Sequence, residues 1–296
     1  MAFSVRPCDP ARPDFAGEVS GIDLTKGVSK ETAAAIEKAM DHYAVLVFHD
    51  QRFDDDAQYA YSRNFGPMEN AATDLAMPKE RRLSVNINDI SNLGADGKVL
   101  ARDDRRRRLA SLGNQLWHSD SSFKTTPSKY SLLSARVIPG SGGNTEFADM
   151  RAAWDALDAD TQAMCRPLVC DHSRLYSRAV LGFEDFSAED MKHQTPVPQR
   201  LVRRHVASGR LSLYLSSHAG TIHDWPIPEA RAFLRDLTEH ATQRKFVHAH
   251  VWRKFDLVMW DNRCTMHRVR RYKHTEMRDL HRTTVGDSAP TLQQAA

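Results

Sequence analysis

Apolar residues follow a helical period near the start of this chain. Ala33, Ile36, Met40 and Tyr43 recur at steps of three and four residues, with lysine and glutamate between them. This spacing is typical of an amphipathic helix that buries one face. Ser29 stands just before it and is a suitable N-cap, because its hydroxyl can accept a bond from a free backbone N–H. The pattern therefore predicts a helix over residues 29–43.

Short apolar runs elsewhere predict strands. The run Ala44–Phe48 is continuous, which is typical of a strand buried on both faces. Further strands are predicted at 129–138, 145–148, 210–215, 246–252, 257–260 and 280–285, and further helices at 54–65, 150–157, 160–164 and 228–242. No glycine-rich nucleotide motif accompanies them. We expect a mostly β fold with flanking helices, a β-sandwich or a double-stranded β-helix (jelly roll) core.

Two stretches interrupt this pattern within a single predicted domain, residues 1–296. Residues 69–113 are loop-rich and contain the charge run Arg105–Arg108. We expect a solvated, mobile loop there; the alternative is a lid over an anionic substrate, since long loops inside a domain are often functional. Residues from about 151 to 200 are predicted to form an insertion in this domain.

Composition narrows the class of protein. The chain has 296 residues, and no apolar run approaches the roughly 20 residues of a membrane helix. The N-terminus lacks the features of a signal peptide, and the four cysteines are too scattered for a disulfide framework. We therefore expect a cytoplasmic protein with no membrane partner. A net charge of +3 is compatible with small anionic substrates. It is too low to indicate a nucleic-acid-binding surface. A homo-oligomer stays an open alternative.

The segment 114–123 carries the strongest chemical signal. His118 and Asp120 are two residues apart, so on an extended strand both side chains project to one side. Together with a distant histidine they would form the two-His-one-carboxylate facial triad of non-haem Fe(II) oxygenases, which leaves three metal positions open. Among fourteen histidines, His267 is the best third ligand, because it follows a predicted strand and turn.

Two arginines near the end of the chain extend this hypothesis. Arg278 and Arg282 share a face of an extended segment but stand roughly 13 Å apart at about 3.3 Å per residue. One carboxylate cannot bridge both, so we expect them to hold two different anions if both face the site. The guanidinium fork suits this role because it matches a carboxylate through two parallel bonds.

These residues resemble a known group. The segments 114–123, 142–145 and 257–264, with His267 and the arginine pair, are similar to the taurine dioxygenase superfamily of Fe(II)/2-oxoglutarate oxygenases. Within it, the chain looks most like the 2,4-dichlorophenoxyacetate/2-oxoglutarate dioxygenases. The likeness covers nearly the whole chain. It departs from these enzymes in residues 69–82, where family members place substrate-gating residues.

The resemblance implies roles for individual residues. Fe(II) would bind to His118, Asp120 and His267. Thr145 and Arg278 would bind the distal carboxylate of the cosubstrate 2-oxoglutarate. Arg282 would hold either the inner carboxylate of the cosubstrate or the carboxylate of the substrate. The implied substrate contacts are Asn114, His205 and His218, with His250 as a weaker candidate.

The implied reaction consumes O2 and 2-oxoglutarate and hydroxylates the side-chain carbon next to an aryl ether oxygen. The resulting hemiacetal would collapse to a phenol and glyoxylate, with succinate and CO2 as coproducts. One alternative keeps this chemistry for a sulfonate, an alkyl sulfate or another aryloxyalkanoate. A more distant alternative is a zinc hydrolase with the same ligands, which has no evident use for Thr145 and Arg278. The last is a non-enzymatic anion-binding jelly roll.

Overall fold

The computed structural model describes residues 3–71, 81–104, 111–183 and 186–294. Strands dominate the described residues, so the prediction of a mostly β chain is confirmed. In chain order they are β1 (Ser4–Pro7), β2 (Gly17–Ser20), β3 (Val45–Phe48), β4 (Asn88–Ser91), β5 (Ser128–Val137), β6 (Thr145–Asp149), β7 (Val169–His172), β8 (Val197–Arg200), β9 (Val202–Arg204), β10 (Leu211–Leu213), β11 (Ala219–Ile222), β12 (Val247–His250), β13 (Leu257–Asp261), β14 (Thr265–Val269) and β15 (Asp279–Gly286).

The largest sheet has seven strands in the order β1-β2-β3-β13-β5-β15-β4. Its central strands bury both faces, which explains why β3 is a continuous apolar run. In β13, Leu257 and Met259 enter one hydrophobic cluster while Val258 and Trp260 enter another. Side chains alternate between the faces of a strand, so the sheet separates two cores.

Seven α-helices flank the sheets in the described part of the chain. They are α1 (Lys30–Tyr43), α2 (Asp55–Ser62), α3 (Met150–Asp155), α4 (Ala159–Cys165), α5 (Arg174–Ala179), α6 (Ala188–His193) and α7 (Ile227–Ala241). Ser29 caps α1 as expected, by accepting a bond from the backbone N–H of Thr32. Helices α1 and α2 cover the outer face of the large sheet.

A second sheet, in the order β12-β6-β14, faces the other side of the large sheet. Phe147 of β6 packs in the same cluster as Val258 and Trp260 of β13, and so joins the two layers. Beyond the second sheet, helices α3 and α7 pack with β9, β10 and β11 in a third cluster. The space between the two sheets is where the candidate site lies.

The structure contains several elements that the sequence patterns did not predict. Strand β4 (Asn88–Ser91) lies inside the predicted loop 69–113 and pairs with β15 at the sheet edge. All four of its residues are half-buried, so no apolar pattern marks it. Strands β7 and β8 lie inside the predicted insertion and form a sheet with β11. Near the end of the described chain, Thr291 is buried and donates a hydrogen bond to Gln199.

Among the described residues, no helix combines the length and the apolar character needed to span a membrane. The four cysteines, Cys8, Cys165, Cys170 and Cys264, are all free thiols, consistent with the absence of a predicted disulfide framework.

Candidate active site

The two histidines predicted as ligands come together through the backbone. His118 and His267 form an antiparallel bridge, with reciprocal N–H to carbonyl distances of 3.0 and 2.8 Å. This places the Nε2 atoms of His118 and His267 at 3.9 and 3.6 Å from the carboxylate oxygens of Asp120. One donor atom from each residue lies within 4.8 Å of the other two. The structure therefore brings the three residues into one buried group.

The imidazole of His118 is held in the form that a metal ligand needs. Its Nδ1 lies 2.7 Å from the backbone carbonyl of Leu116, which can only accept, so Nδ1 carries the proton and Nε2 keeps its lone pair. Burial lowers the pKa of His118, against the opposing effect of Asp120. Burial and the neighbouring His118 lower the pKa of His267 well below its usual value. Both rings are neutral at pH 7.

Asp120 stays ionised although it is buried. Burial by itself would raise its pKa, but the Arg282 guanidinium outweighs burial and holds the pKa below its usual range. The Nη1 atom of Arg282 donates to Oδ1 of Asp120 at 2.5 Å. One anion that Arg282 holds is thus the carboxylate of the metal-binding group itself.

A buried amide and a buried hydroxyl fix the orientation of Asp120. The Ser131 hydroxyl donates to Oδ2 of Asp120 at 2.7 Å and accepts from the Asn262 side-chain amide at 3.0 Å. Oδ1 of Asn262 accepts from the Asp120 backbone N–H at 3.1 Å and from the Trp260 indole at 3.0 Å. Because both of these groups can only donate, the orientation of the amide is determined.

A pocket opens beside this group, between the two sheets. Its lining residues are Ile90, Asn114, His118, Leu133, Thr145, Trp260, His267, Val269, Arg278 and Arg282. Both predicted cosubstrate residues, Thr145 and Arg278, belong to this lining. Thr145 starts β6 in the second sheet, and Arg278 stands just before β15 in the large sheet. The two sheets that face the pocket therefore each contribute a polar group.

Arg278 is a buried cation without a carboxylate partner among the described residues. It is 4% exposed, and its Nη1 donates to the Ile90 carbonyl at 3.3 Å while Nε has no partner. Burial lowers its pKa to about 10, so the guanidinium remains charged at pH 7. A buried charge with unused donors is costly, and an anion in the pocket would offset that cost.

Of the predicted substrate residues, Asn114 and His218 lie at or beside the pocket. Asn114 lines it directly. The ring of His218 meets the ring of His118 edge-on at 6.4 Å and that of Phe123 at 4.9 Å. Its Nδ1 lies 2.8 Å from the hydroxyl of Ser177.

The other two predicted histidines are placed differently. His205 does not line the pocket; its Nε2 lies 3.1 Å from Asp261 and its Nδ1 2.8 Å from the Ser208 hydroxyl. Its substrate role stays a prediction that these contacts do not support. His250 lies outside the lining as well, with Nε2 3.0 Å from Oδ2 of Asp256.

The arginine run 105–108 and most of the segment 69–82 expected to gate the substrate lie outside the described residues. Within the described part of that segment, Glu69 accepts a hydrogen bond from the Ser121 hydroxyl at 2.7 Å. This contact joins the start of the segment to the turn that carries Asp120.

Sequence reasoning missed the residues that support the metal-binding group. Asn262 lies in the segment 257–264 that carried the resemblance, so its position was visible but its role was not. Ser131 belongs to a strand of small and apolar residues and gives no signal of its own. Only the folded chain brings both to Asp120.

The donor set fits a divalent transition metal. Two neutral imidazoles and one ionised carboxylate are the ligands of non-haem Fe(II) sites. Atoms that bind one ion at about 2.0 to 2.2 Å lie about 3 to 4 Å apart, which agrees with the 3.6 and 3.9 Å separations.

Comparison with protein families decides the assignment. Residues 4–284 match the model of the family described as taurine catabolism dioxygenase TauD, TfdA. The chain belongs to this family. The predicted superfamily is thereby confirmed, and the His118, Asp120 and His267 group has the donor set that a metal site in such a dioxygenase needs.

Individual relatives are similar over nearly the whole chain. It is 45% identical over 281 residues to an alpha-ketoglutarate-dependent 2,4-dichlorophenoxyacetate dioxygenase of Cupriavidus pinatubonensis, covering 95% of this chain and 98% of the relative. It is 34% identical to an (S)-phenoxypropionate/alpha-ketoglutarate-dioxygenase of Sphingobium herbicidovorans, covering 97% and 96%. A crystal structure of AAD-2 in complex with Mn(II) and N-oxalylglycine superposes with a TM-score of 0.94 at 53% identity, covering 98% and 100%.

Proposed function

We propose that this enzyme cleaves aryloxyacetates of the 2,4-dichlorophenoxyacetate class. It is an Fe(II)/2-oxoglutarate-dependent dioxygenase, in line with its family and its relatives. The observation that carries the substrate proposal is the 45% identity, over 95% of the chain, to a dioxygenase named for this herbicide. We also propose that the two facing sheets form a double-stranded β-helix and that the protein acts in the cytoplasm.

The metal supplies the chemistry that the side chains lack. When bound by His118, Asp120 and His267, Fe(II) would activate O2 while 2-oxoglutarate is decarboxylated to succinate and CO2. The oxygen atom gained by the substrate forms a hydroxyl on the carbon between the ether oxygen and the carboxylate. The resulting hemiacetal releases the phenol, and the remaining two carbons leave as glyoxylate.

The protein contributes charge and placement. We propose that Arg278 and the Thr145 hydroxyl bind the distal carboxylate of 2-oxoglutarate, because the buried guanidinium has donors to spare. Arg282 neutralises Asp120, and its Nε has no partner within the described part of the chain. It is therefore placed to donate to an anion beside the metal.

The carboxylate of an aryloxyacetate is bonded directly to the carbon that is oxidised. The group that holds this carboxylate must therefore lie close to the metal ligands. Arg282, Asn114 and His218 meet this requirement, because the first two line the pocket and the ring of His218 abuts that of His118. We propose these three residues as the substrate contacts.

A substrate panel tests the proposal. Purified enzyme with Fe(II), ascorbate and 2-oxoglutarate would be assayed in air for succinate and for phenol. The panel comprises 2,4-dichlorophenoxyacetate, 2-phenoxypropionate, taurine and an alkyl sulfate. We expect the highest kcat/KM, with equal amounts of succinate and phenol, for the phenoxyacetate. A higher kcat/KM for taurine or the alkyl sulfate would contradict the proposed substrate class. Turnover without 2-oxoglutarate would favour a hydrolase.

Replacement of Arg278 tests the division of roles between the two arginines. Arg278→Ala should raise the KM for 2-oxoglutarate by about 10- to 100-fold, because bonds to charged groups contribute about 1.5 to 3 kcal/mol. The KM for the phenoxyacetate should change much less. An equal rise in both constants would show that Arg278 does not separate the two anions.

A further inference from the structure

Trp252 lies directly behind the cosubstrate pocket. Its indole Nε1 donates to the Thr145 hydroxyl oxygen at 3.0 Å, and the two residues are 7% and 3% exposed. An indole N–H can only donate, so the direction of this bond is fixed. Thr145 must therefore accept from Trp252 and keep its own proton for another partner.

That other partner is not found among the residues that the structure describes. Within the described residues, the Thr145 hydroxyl donates to no protein acceptor, and Thr145 lines the same pocket as Arg278. A buried hydroxyl whose donor is unused favours an acceptor in the pocket. The indole thus occupies one acceptor position of Thr145 and leaves its proton free to donate, which favours an anionic oxygen there.

The indole is itself held in place from behind. The His250 ring meets the Trp252 ring edge-on at 4.7 Å and an interplanar angle of 87°. His250 is fixed by Oδ2 of Asp256 at 3.0 Å, and Oδ1 of Asp256 lies 2.6 Å from Nδ1 of His49. His250 also stands opposite Thr145 in the pairing of β12 with β6. His250, which the sequence analysis gave as a weaker candidate for a substrate contact, therefore does not line the pocket but packs against Trp252 behind it.

We propose that Trp252 is a positioning residue for 2-oxoglutarate and acts through Thr145. Its N–H orients the Thr145 hydroxyl so that the hydroxyl donates to the distal carboxylate that Arg278 neutralises. The inference rests on the proposed role of Thr145 and Arg278, and it adds the residue that determines how Thr145 is used.

Binding without turnover provides the test. Isothermal titration of the Mn(II)-loaded enzyme with N-oxalylglycine, an unreactive analogue of 2-oxoglutarate, measures affinity for the cosubstrate site alone. Trp252→Phe retains an aromatic ring against His250 but removes the N–H. We expect N-oxalylglycine to bind about 3- to 10-fold more weakly, the loss typical of one neutral hydrogen bond. Affinity for Mn(II) should not change.

A matched control separates this effect from the loss of an indole elsewhere. Trp225 packs against Phe233 at 5.3 Å and does not line the pocket. Trp225→Phe should leave N-oxalylglycine affinity unchanged. An equal loss in both variants would overturn the inference.

A double-mutant cycle shows whether Trp252 acts through Thr145. Thr145→Val should weaken binding, and adding Trp252→Phe to it should cause no further loss, because the two effects share one hydroxyl. If Thr145→Val leaves affinity unchanged, the proposed cosubstrate role of Thr145 fails. If Thr145→Val weakens binding but Trp252→Phe does not, or if the two effects add, only the role of Trp252 fails.

A measurement that keeps Trp252 in place covers the case in which its variant does not fold. The chain has five tryptophans, so protein labelled with 15N-tryptophan gives five indole N–H signals. Thr145→Val should move one signal upfield through loss of its acceptor, whereas Thr145→Ser, which keeps the hydroxyl, should not. Five unmoved signals in Thr145→Val would overturn the inference.

Discussion

Two buried clusters in this protein use the same types of side chain for different purposes. One is the proposed metal site of His118, Asp120 and His267. The other contains His205, Asp261 and Cys264, whose donor atoms also lie within 4.8 Å of one another. Burial and proximity do not distinguish them, and the difference lies in the third donor and in what already neutralises each carboxylate.

In the second cluster an arginine already neutralises the carboxylate that a metal ion would need. Arg263 donates from Nε and Nη2 to Asp261 at 2.9 and 2.6 Å, and its backbone N–H donates to Oδ1 at 2.8 Å. Burial raises the pKa of the Cys264 thiol, so no thiolate is offered. In the metal site Arg282 donates one bond of 2.5 Å to Asp120 and leaves both imidazole Nε2 atoms facing the carboxylate. The several bonds from Arg263 to Asp261 favour a structural role for the second cluster. The single bond from Arg282 leaves Asp120 able to bind a metal ion.

The largest expected effect is the loss of the metal site. His118→Ala and Asp120→Ala should each abolish turnover and weaken Mn(II) binding by more than about 100-fold, since replacement of residues that only support a ligand already costs 10- to 100-fold. Titration calorimetry and succinate release measure these effects. Cooperative thermal unfolding should be retained. Turnover retained in either variant would remove the metal assignment.

The matching change in the second cluster should act on the fold instead. Asp261→Asn leaves the Arg263 charge without its buried partner and should lower the free energy of unfolding by about 3 to 5 kcal/mol. Urea denaturation measures this loss, with Asp120→Asn as the matched control for the same chemical change. Mn(II) affinity of the folded Asp261→Asn protein should remain near the wild-type value. A large loss of metal affinity with unchanged stability would reverse our distinction between the clusters.

A smaller effect is expected from the residue that orients Asp120. Ser131→Ala removes the 2.7 Å bond to Oδ2 and should lower Mn(II) affinity by about 10-fold, the lower end of the range for such supporting residues. Ser134→Ala is the control on the same strand, because that hydroxyl donates to Gln58 rather than to the site. Equal effects of the two changes on metal affinity would show that orientation of Asp120 is not the cause.

The smallest effect concerns a third polar cluster, at the edge of the large sheet. Nδ1 of His281 lies 2.5 Å from Asp55, and its Nε2 lies 3.3 Å from Asp279. Burial alone would lower the pKa of His281, but the nearby carboxylates of Asp279 and Asp55 outweigh it and raise the pKa.

A raised pKa in the folded protein contributes stability below the unfolded value and loses it as pH rises through the folded value. His281→Gln should therefore lower Tm more at pH 6 than at pH 9. Thermal unfolding across this range is the measurement. A difference in Tm that grows with pH would contradict the ion-pair interpretation.

Local patterns predicted much of the fold. The helix over Lys30–Tyr43 and the strands β3, β5 and β13 follow from periodicity, because burial of one or both faces leaves a repeat in the sequence. Strand β4 escaped prediction because it is half-buried throughout, and β7 and β8 because they are short and interrupted by polar residues. Such strands form through pairing with distant partners, which local sequence does not record.

The sequence by itself determined the chemistry of the site: a histidine and an aspartate two residues apart, a later histidine and two arginines spaced for different anions. Only the tertiary structure decided which of the fourteen histidines take part. It joined His118 to His267 through a backbone bridge, turned His205 toward Asp261 and placed His250 behind Trp252. The physical reason is that ligand geometry, burial and the partner of each ring nitrogen come from contacts between residues far apart in the chain.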